Sequence, residues 1–172
     1  ASAHQRARLG LARTFQNLQL IQGVSVLDNV MLGLAPERGP LRDFLRWLAS
    51  GAHEREERAQ ALAILDDLGI ARLADLRPKD LSYGHRKLVE LARAMSQRPR
   101  IMLLDEPVAG LNAQEAAAIA KVVGRLREKG ITILLVEHNM DFVMGLSDRV
   151  TVLDFGHRIA EGTPAEVQKN PQ

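Results

Sequence analysis

Three short stretches carry acids, an imidazole and small polar residues at places where they could act on a phosphate. In LLDEP, residues 103–107, two acids follow an apolar run. If that run is a buried parallel strand, it delivers both acids to the carboxyl edge of the sheet, where open α/β folds bind their ligands. Asp105 could then hold Mg²⁺ through water, as magnesium prefers, while Glu106 accepts a proton from an attacking water or polarises it. Acids at strand ends are also commonly no more than solvated, so this pair alone decides nothing. In VEHN, residues 136–139, His138 follows a second, β-branched apolar run and could contact a γ-phosphate or the attacking water. A histidine there can equally be structural. Two parallel strands that both end in polar residues would place them on one edge, and together they outline a site.

The third stretch is LSYGH, residues 81–85, a turn of small polar residues that runs into an amphipathic pattern with Leu88, Leu91, Ala92 and Met95 on one face. A helix N-terminus has unpaired amides and a positive dipole end, so Ser82 and the amides of Tyr83, Gly84 and His85 could hold a phosphate. Gly84 would let the backbone approach closely. The alternative is ordinary capping by Ser82 with no ligand, and the residues alone leave both open. Gln16, after LARTF, could coordinate a metal or reach a water, but Gln is also an ordinary surface residue. The Arg and Lys residues of 86–100 are spread around the helix without interleaved aromatics, which reads as a solvated face.

These residues need a frame to position them, and periodicity supplies one. Residues 11–16 form a short strand, and Ser25 with Asp28 makes a capping-box-like start for a helix to about Leu34. Pro36, Gly39 and Pro40 break the chain, after which Leu41, Phe44, Leu45 and Leu48 mark one apolar helical face. A long helix over about 53–68 closes on Gly69. Beyond it come a strand at 101–104, a helix through Ala116, Ile119, Val123 and Leu126 to Gly130, a strand at 131–136, a short helix at 140–146 and a third strand at 150–154. That alternation implies parallel pairing with right-handed crossovers. The closing VTVLDFGHRIAEG reads as a hairpin turning at Phe155 and Gly156. The expected fold is an α/β core with a helical insertion.

Composition narrows the function classes. The 172 residues suit one domain with a real core. Lys and Arg number 23 against 21 Asp and Glu, and aromatics are 3%, so neither charge nor base-stacking surface supports a nucleic-acid partner. Cysteine is absent, which removes disulfide frameworks and thiolate metal sites. No apolar run approaches the roughly 18 to 20 residues needed to span a bilayer, and the first residues lack a secretory core.

Taken in order, the stretches resemble the ATP-binding subunits of ABC transporters. RTFQN looks like the Q-loop, LSYGH the signature motif, IMLLDEP the Walker B strand with its catalytic Glu, AGLN the D-loop and VEHN the switch-histidine loop. ARTFQNLQL, LSYG, VEHNMDFVMGLSDRV and IAEGTPAEV look most like the ATPases of branched-chain amino acid importers. The resemblance implies a partial P-loop NTPase fold, a parallel sheet flanked by helices with a helical subdomain. It divides the chain into a strand and Q-loop (1–16), a mainly helical subdomain (17–80), the signature motif and helix (81–98) and the Walker B, D-loop, switch-histidine core and hairpin (99–172).

The same resemblance implies ATP and Mg²⁺ as cofactors. Asp105 would hold the ion through water, and Gln16 would reach the metal and couple nucleotide to the membrane partner. Glu106 would activate the hydrolytic water, and His138 would hold the γ-phosphate. Ser82, Tyr83, Gly84 and His85, the last where the family often has Gln, would face a γ-phosphate bound by an opposing subunit. Asn112 would communicate across the dimer. Partners would be a second ATP-binding subunit and transmembrane permease subunits, contacted through about 18–80, with the protein peripheral on the cytoplasmic face of the inner membrane. Other readings are a non-catalytic module that presents its signature face or a permease-docking surface, and an ATPase of lipid or lipopolysaccharide export.

One departure is large. The family's phosphate-gripping Walker A loop, GxxxxGK[ST], does not occur in these residues, and no Gly is followed by Lys. The expectation is a C-terminal portion of the ATPase, inactive alone. The resemblance places the Walker A strand beside the strand ending at His138, so an open slot is expected there, exposing apolar surface and favouring self-association.

Overall fold

A computed structural model describes Gln5, residues 9–14, residues 19–34 and residues 50–169. Gln16 and the apolar series Leu41, Phe44, Leu45 and Leu48 lie outside the described residues. Within them the apolar runs become three parallel strands in the order β1 (Leu11–Arg13), β2 (Ile101–Asp105) and β3 (Thr132–Val136). The first strand is shorter than its apolar sequence suggests. β2 sits in the middle, with Ala12 opposite Met102 on one side and Asp105 opposite Val136 on the other. That register sets the ends of β2 and β3 level, which is why their polar termini share an edge.

Local signals account for the helices. In α1 (Val26–Met31) Ser25 Oγ accepts from Asp28 N at 3.0 Å while the Asp28 carboxylate accepts from Ser25 N, a reciprocal box. α2 (Ser50–Asp67) ends before Gly69 at φ +71°. α3 (Tyr83–Ser96) carries the Ser82 turn at its N-terminus, and α4 (Ala113–Glu128) joins β2 to β3. Short 3-10 turns at Leu32–Leu34, Ala71–Leu73 and Pro78–Asp80 complete the helical half. Val26, Leu27 and Val30 of α1, Ala61 and Leu65 of α2, and Val89 and Ala92 of α3 are fully buried in one core with Met102 and Leu104 of β2 and Ile119, Val122, Val123 and Leu126 of α4. The buried Asn29 is satisfied at every turn: its Oδ1 accepts from Ile21 N at 2.9 Å and its Nδ2 donates to Ile21 O and Ser25 O. It staples residues 20–25 onto α1.

The third strand departs from expectation. After α5 (Met140–Leu146), β4 (Val150–Asp154) pairs antiparallel with β5 (His157–Gly162), and this hairpin is a separate sheet from β1-β2-β3. The turn is the expected Phe155-Gly156 pair, with φ +42° and +81°, the doubly left-handed form that matches strand twist in two-residue hairpins. A partner two residues away costs little loop-closure entropy, and β4's hydrogen bonds are met locally. α6 (Pro164–Gln168) follows, its Thr163 cap and Glu166 forming another capping box. Among the described residues β3 has a neighbour only on its β2 side, and Leu134 and Val136 are 58% and 59% exposed.

Candidate functional site

Two clusters emerge from the predicted residues. The first lies at the carboxyl edge of β2 and β3. Asp105 ends β2, and its Oδ2 receives Arg13 Nη2 of β1 at 3.0 Å. Glu106 follows in a left-handed backbone, φ +46°, that non-glycine residues rarely adopt. Its amide donates to Val136 O at 2.9 Å, and its carbonyl accepts from Ala109 N at 3.2 Å. This turn aims the Glu106 carboxylate toward the end of β3, where Oε1 lies 3.7 Å from His138 Nδ1. The pair is partly exposed, so it remains open to a phosphate and a water. Asn139 does a structural task beside it, its Oδ1 accepting from Phe142 N to cap α5.

Glu137, between Val136 and His138, escaped sequence reasoning. Both its carboxylate oxygens are shielded from solvent, and neither has a hydrogen-bond partner in the structure. Burial raises its pKa, and nearby Glu106 pushes it the same way; His138 and the amides of Asn139 and His138 offset part of that rise. Its only sequence signal is adjacency to His138, since an isolated Glu after an apolar strand reads as solvated.

The second cluster joins the N-termini of α3 and α4. Ser82 caps α3, its Oγ accepting from His85 N at 3.2 Å and lying 3.1 Å from His85 Nδ1. The capping role is therefore realised, and it leaves the first α3 amides, those of Tyr83 and Gly84, pointing out of the helix start. Gly84 has a reason beyond ligand approach, because a Cβ there would meet Glu115 Oε1 at 2.5 Å. Glu115 is itself held by Asn112: Asn112 N donates to its Oε2 at 3.2 Å, and Asn112 Oδ1 accepts from Glu115 N at 2.9 Å. The side chain expected to signal across a dimer is thus an α4 cap. Tyr83 leans toward the same loop, and a Cβ on Gly110 would lie 3.5 Å from its ring. The reading of 86–100 as a solvated basic face fails at Lys87, which is buried while its ammonium reaches Glu106 O at 3.5 Å. Helical periodicity put Lys87 off the apolar stripe, but the β2 turn comes down over that flank.

Among the described residues no group of three or more His, Asp or Glu side chains converges as a metal cage. The donor set fits Mg²⁺ in a narrower way. Asp105 offers one carboxylate to an ion at the edge, which suits an ion that keeps most of its ligands as water and substrate phosphate oxygens.

Comparison with known proteins defines the class. The family described as ABC transporter matches residues 2–109, and the chain belongs to it. The chain is 37% identical over 173 aligned residues to the high-affinity branched-chain amino acid transport ATP-binding protein BraF of Pseudomonas aeruginosa, covering 98% of this chain and 67% of that protein. It is 35% identical to LivG of Escherichia coli, over 97% and 67% respectively. The chain thus spans about two thirds of these relatives, and it is an ABC ATP-binding subunit related to branched-chain amino acid importer ATPases. Among solved structures, the ADP conformation of MJ1267, an ATP-binding cassette of an ABC transporter, superposes with a TM-score of 0.82 at 32% identity, covering 99% of this chain and 69% of that one. The dimeric post-hydrolysis state of the cassette MJ0796 bound to ADP and Pi gives 0.75 at 28%, covering 94% and 65%.

Proposed function

We propose that these residues form the hydrolytic edge and the signature face of an ATPase that energises an ABC importer, with branched-chain amino acids as the transported class. The observation that carries the reading is the meeting of Glu106 and His138 at 3.7 Å, level with Asp105, on one sheet edge. Water attacks the γ-phosphorus of ATP, its proton passes to the Glu106 carboxylate, and the bond from phosphorus to the bridging oxygen breaks to release ADP. His138 holds the γ-phosphate and orients the water. Asp105 would hold Mg²⁺, which would neutralise phosphate charge. On the family motif, Gln16 would be a further ligand for the ion and would couple nucleotide to the permease.

The turn of Ser82, Tyr83, Gly84 and His85 faces the γ-phosphate of an opposing subunit, with the Tyr83 and Gly84 amides available to it because His85 N is held by Ser82 Oγ, and Asn112, at the start of α4, lies on the same interface. A dimer is supported by the dimeric MJ0796 cassette. No helix among the described residues is long and apolar enough to cross a membrane. By the likeness to branched-chain amino acid transport ATP-binding proteins, attachment to the cytoplasmic face of the inner membrane is assigned to permease subunits.

GxxxxGK[ST] is absent from the 172 residues, so these alone are expected to hydrolyse little or no ATP. The test joins them to an upstream segment carrying that loop and measures Mg²⁺-dependent hydrolysis. Turnover should appear, and Glu106→Gln should lower kcat roughly hundredfold or more. Turnover that survives Glu106→Gln would sink the assignment.

A further inference from the structure

We infer that Lys87 is a positioning residue for Glu106, tying the backbone of the proposed base to the signature helix. The inference rests on the reading of Glu106 as the base. Lysine is almost never fully buried unless something holds its charge, yet Lys87 is only 6% exposed. Its stem lines a small cavity with Thr14, Glu90, Leu104 and Pro107, directly beneath the turn that follows β2. From there Nζ donates to Glu106 O at 3.5 Å, long for a charged donor, and lies 5.7 Å from the centroid of the Tyr83 ring, within cation–π reach.

Glu106 has a need for such a restraint. A left-handed backbone at a residue with a Cβ persists only where the surroundings over-determine it. The amide of Glu106 is fixed by Val136 O and the carbonyl by Ala109 N, both within the sheet edge and its own turn. Lys87 adds a restraint that comes from α3, and it is charged, so it acts on the carbonyl dipole more strongly than a neutral donor would. It sits one turn from Ser82 and shares the Tyr83 ring with Arg86, whose Cζ is 5.6 Å from the centroid. A shift of the signature turn is therefore delivered to the backbone of Glu106.

The test compares the wild type with Lys87→Met, which keeps the buried stem, and Lys87→Arg, which keeps the charge. The readouts are the Glu106 carbonyl ¹³C signal and amide hydrogen exchange. In Lys87→Met the Glu106 carbonyl signal should shift, and exchange at the Glu106 and Ala109 amides should accelerate about tenfold, with Val30 and Leu65 unchanged. Lys87→Arg should restore both. In the hydrolysis-competent protein described above, Lys87→Met should lower kcat with KM unchanged.

An unmoved Glu106 signal in Lys87→Met would overturn the inference. So would faster exchange spread over the whole chain with no rescue by Lys87→Arg, which would make Lys87 a packing residue. Loss of Glu106-dependent turnover from the starting protein would instead defeat the assignment of the base, while the carbonyl and exchange measurements still decide whether Lys87 holds that backbone.

Discussion

Both faces of the three-stranded sheet carry large apolar residues, but the two faces differ in environment. Ala12, Met102 and Leu104 point to the side covered by α3 and α4 and are fully buried, and Ile133 and Leu135 pack against that core. Ile101, Leu134 and Val136 point the other way and are exposed. Parallel strands read as unbroken apolar runs because both of their faces are ordinarily covered. IMLLD and TILLV therefore record two coverings, while the described residues provide one. The lesson is that the apolar character of a strand reports what it was selected to contact, and burial reports what is present.

The sharpest way to break this comparison is a matched pair of truncations. Leu104→Ala, on the covered face, should cost about 2–5 kcal/mol in a denaturant titration, the usual range for a cavity in a packed core. Leu134→Ala, on the exposed face, should cost less than about 0.5 kcal/mol. Equal losses would mean that Leu134 is covered in solution, and the contrast between the faces would fall.

A second probe uses the β3 edge. TILLV has no charge and no proline, the devices that keep edges from pairing with other chains. Sedimentation velocity should show association that grows with concentration, reduced by Leu134→Lys without loss of folded structure. A single monomeric species at all concentrations would show that the edge is protected.

The smallest expected effect concerns Glu137, where the covered side meets the carboxyl edge of the sheet. Its folded pKa is raised, so the folded state holds the proton more tightly than the unfolded chain does. Its contribution to stability is therefore fullest below the unfolded pKa and is lost as pH rises through the folded value. Glu137→Gln should raise the melting temperature at pH 7 and change it least near pH 4. The gain should stay below about 1 kcal/mol, since the group is only partly shielded. A Gln variant that is less stable at pH 7 would show that the anion has a partner.

Much of the site was legible because its pieces are local. Ser25 with Asp28, the Ser82 cap and the Phe155-Gly156 turn depend on residues within four positions of one another, so type and spacing suffice to foresee them. Asp105, Glu106 and His138 could be brought to one edge on paper because parallel register follows once both runs are strands. Other features were hidden for a physical reason each. Strand β4 was expected in the parallel sheet, but strand periodicity does not name a partner, and the hairpin was the cheaper closure. Gly84 was read as room for a ligand, and the structure adds a second neighbour that the sequence did not show: a Cβ there would meet the Glu115 side chain, a contact between two helices 31 positions apart in the chain. Lys87 and Glu137 were invisible, because whether a charged side chain faces water is decided by what packs over it.

By itself, then, the amino-acid order determined which residues become strands and helices, where the caps fall and which chemistry stands at the strand ends, since all of these rest on backbone preferences and short-range hydrogen bonds. Only the tertiary structure decided that the Glu115 side chain packs against Gly84 and that α3 reaches the backbone of Glu106 through Lys87. Those contacts join segments that are distant in the chain, and they exist because packing brings α3, α4 and the β2 turn to a few ångströms of one another.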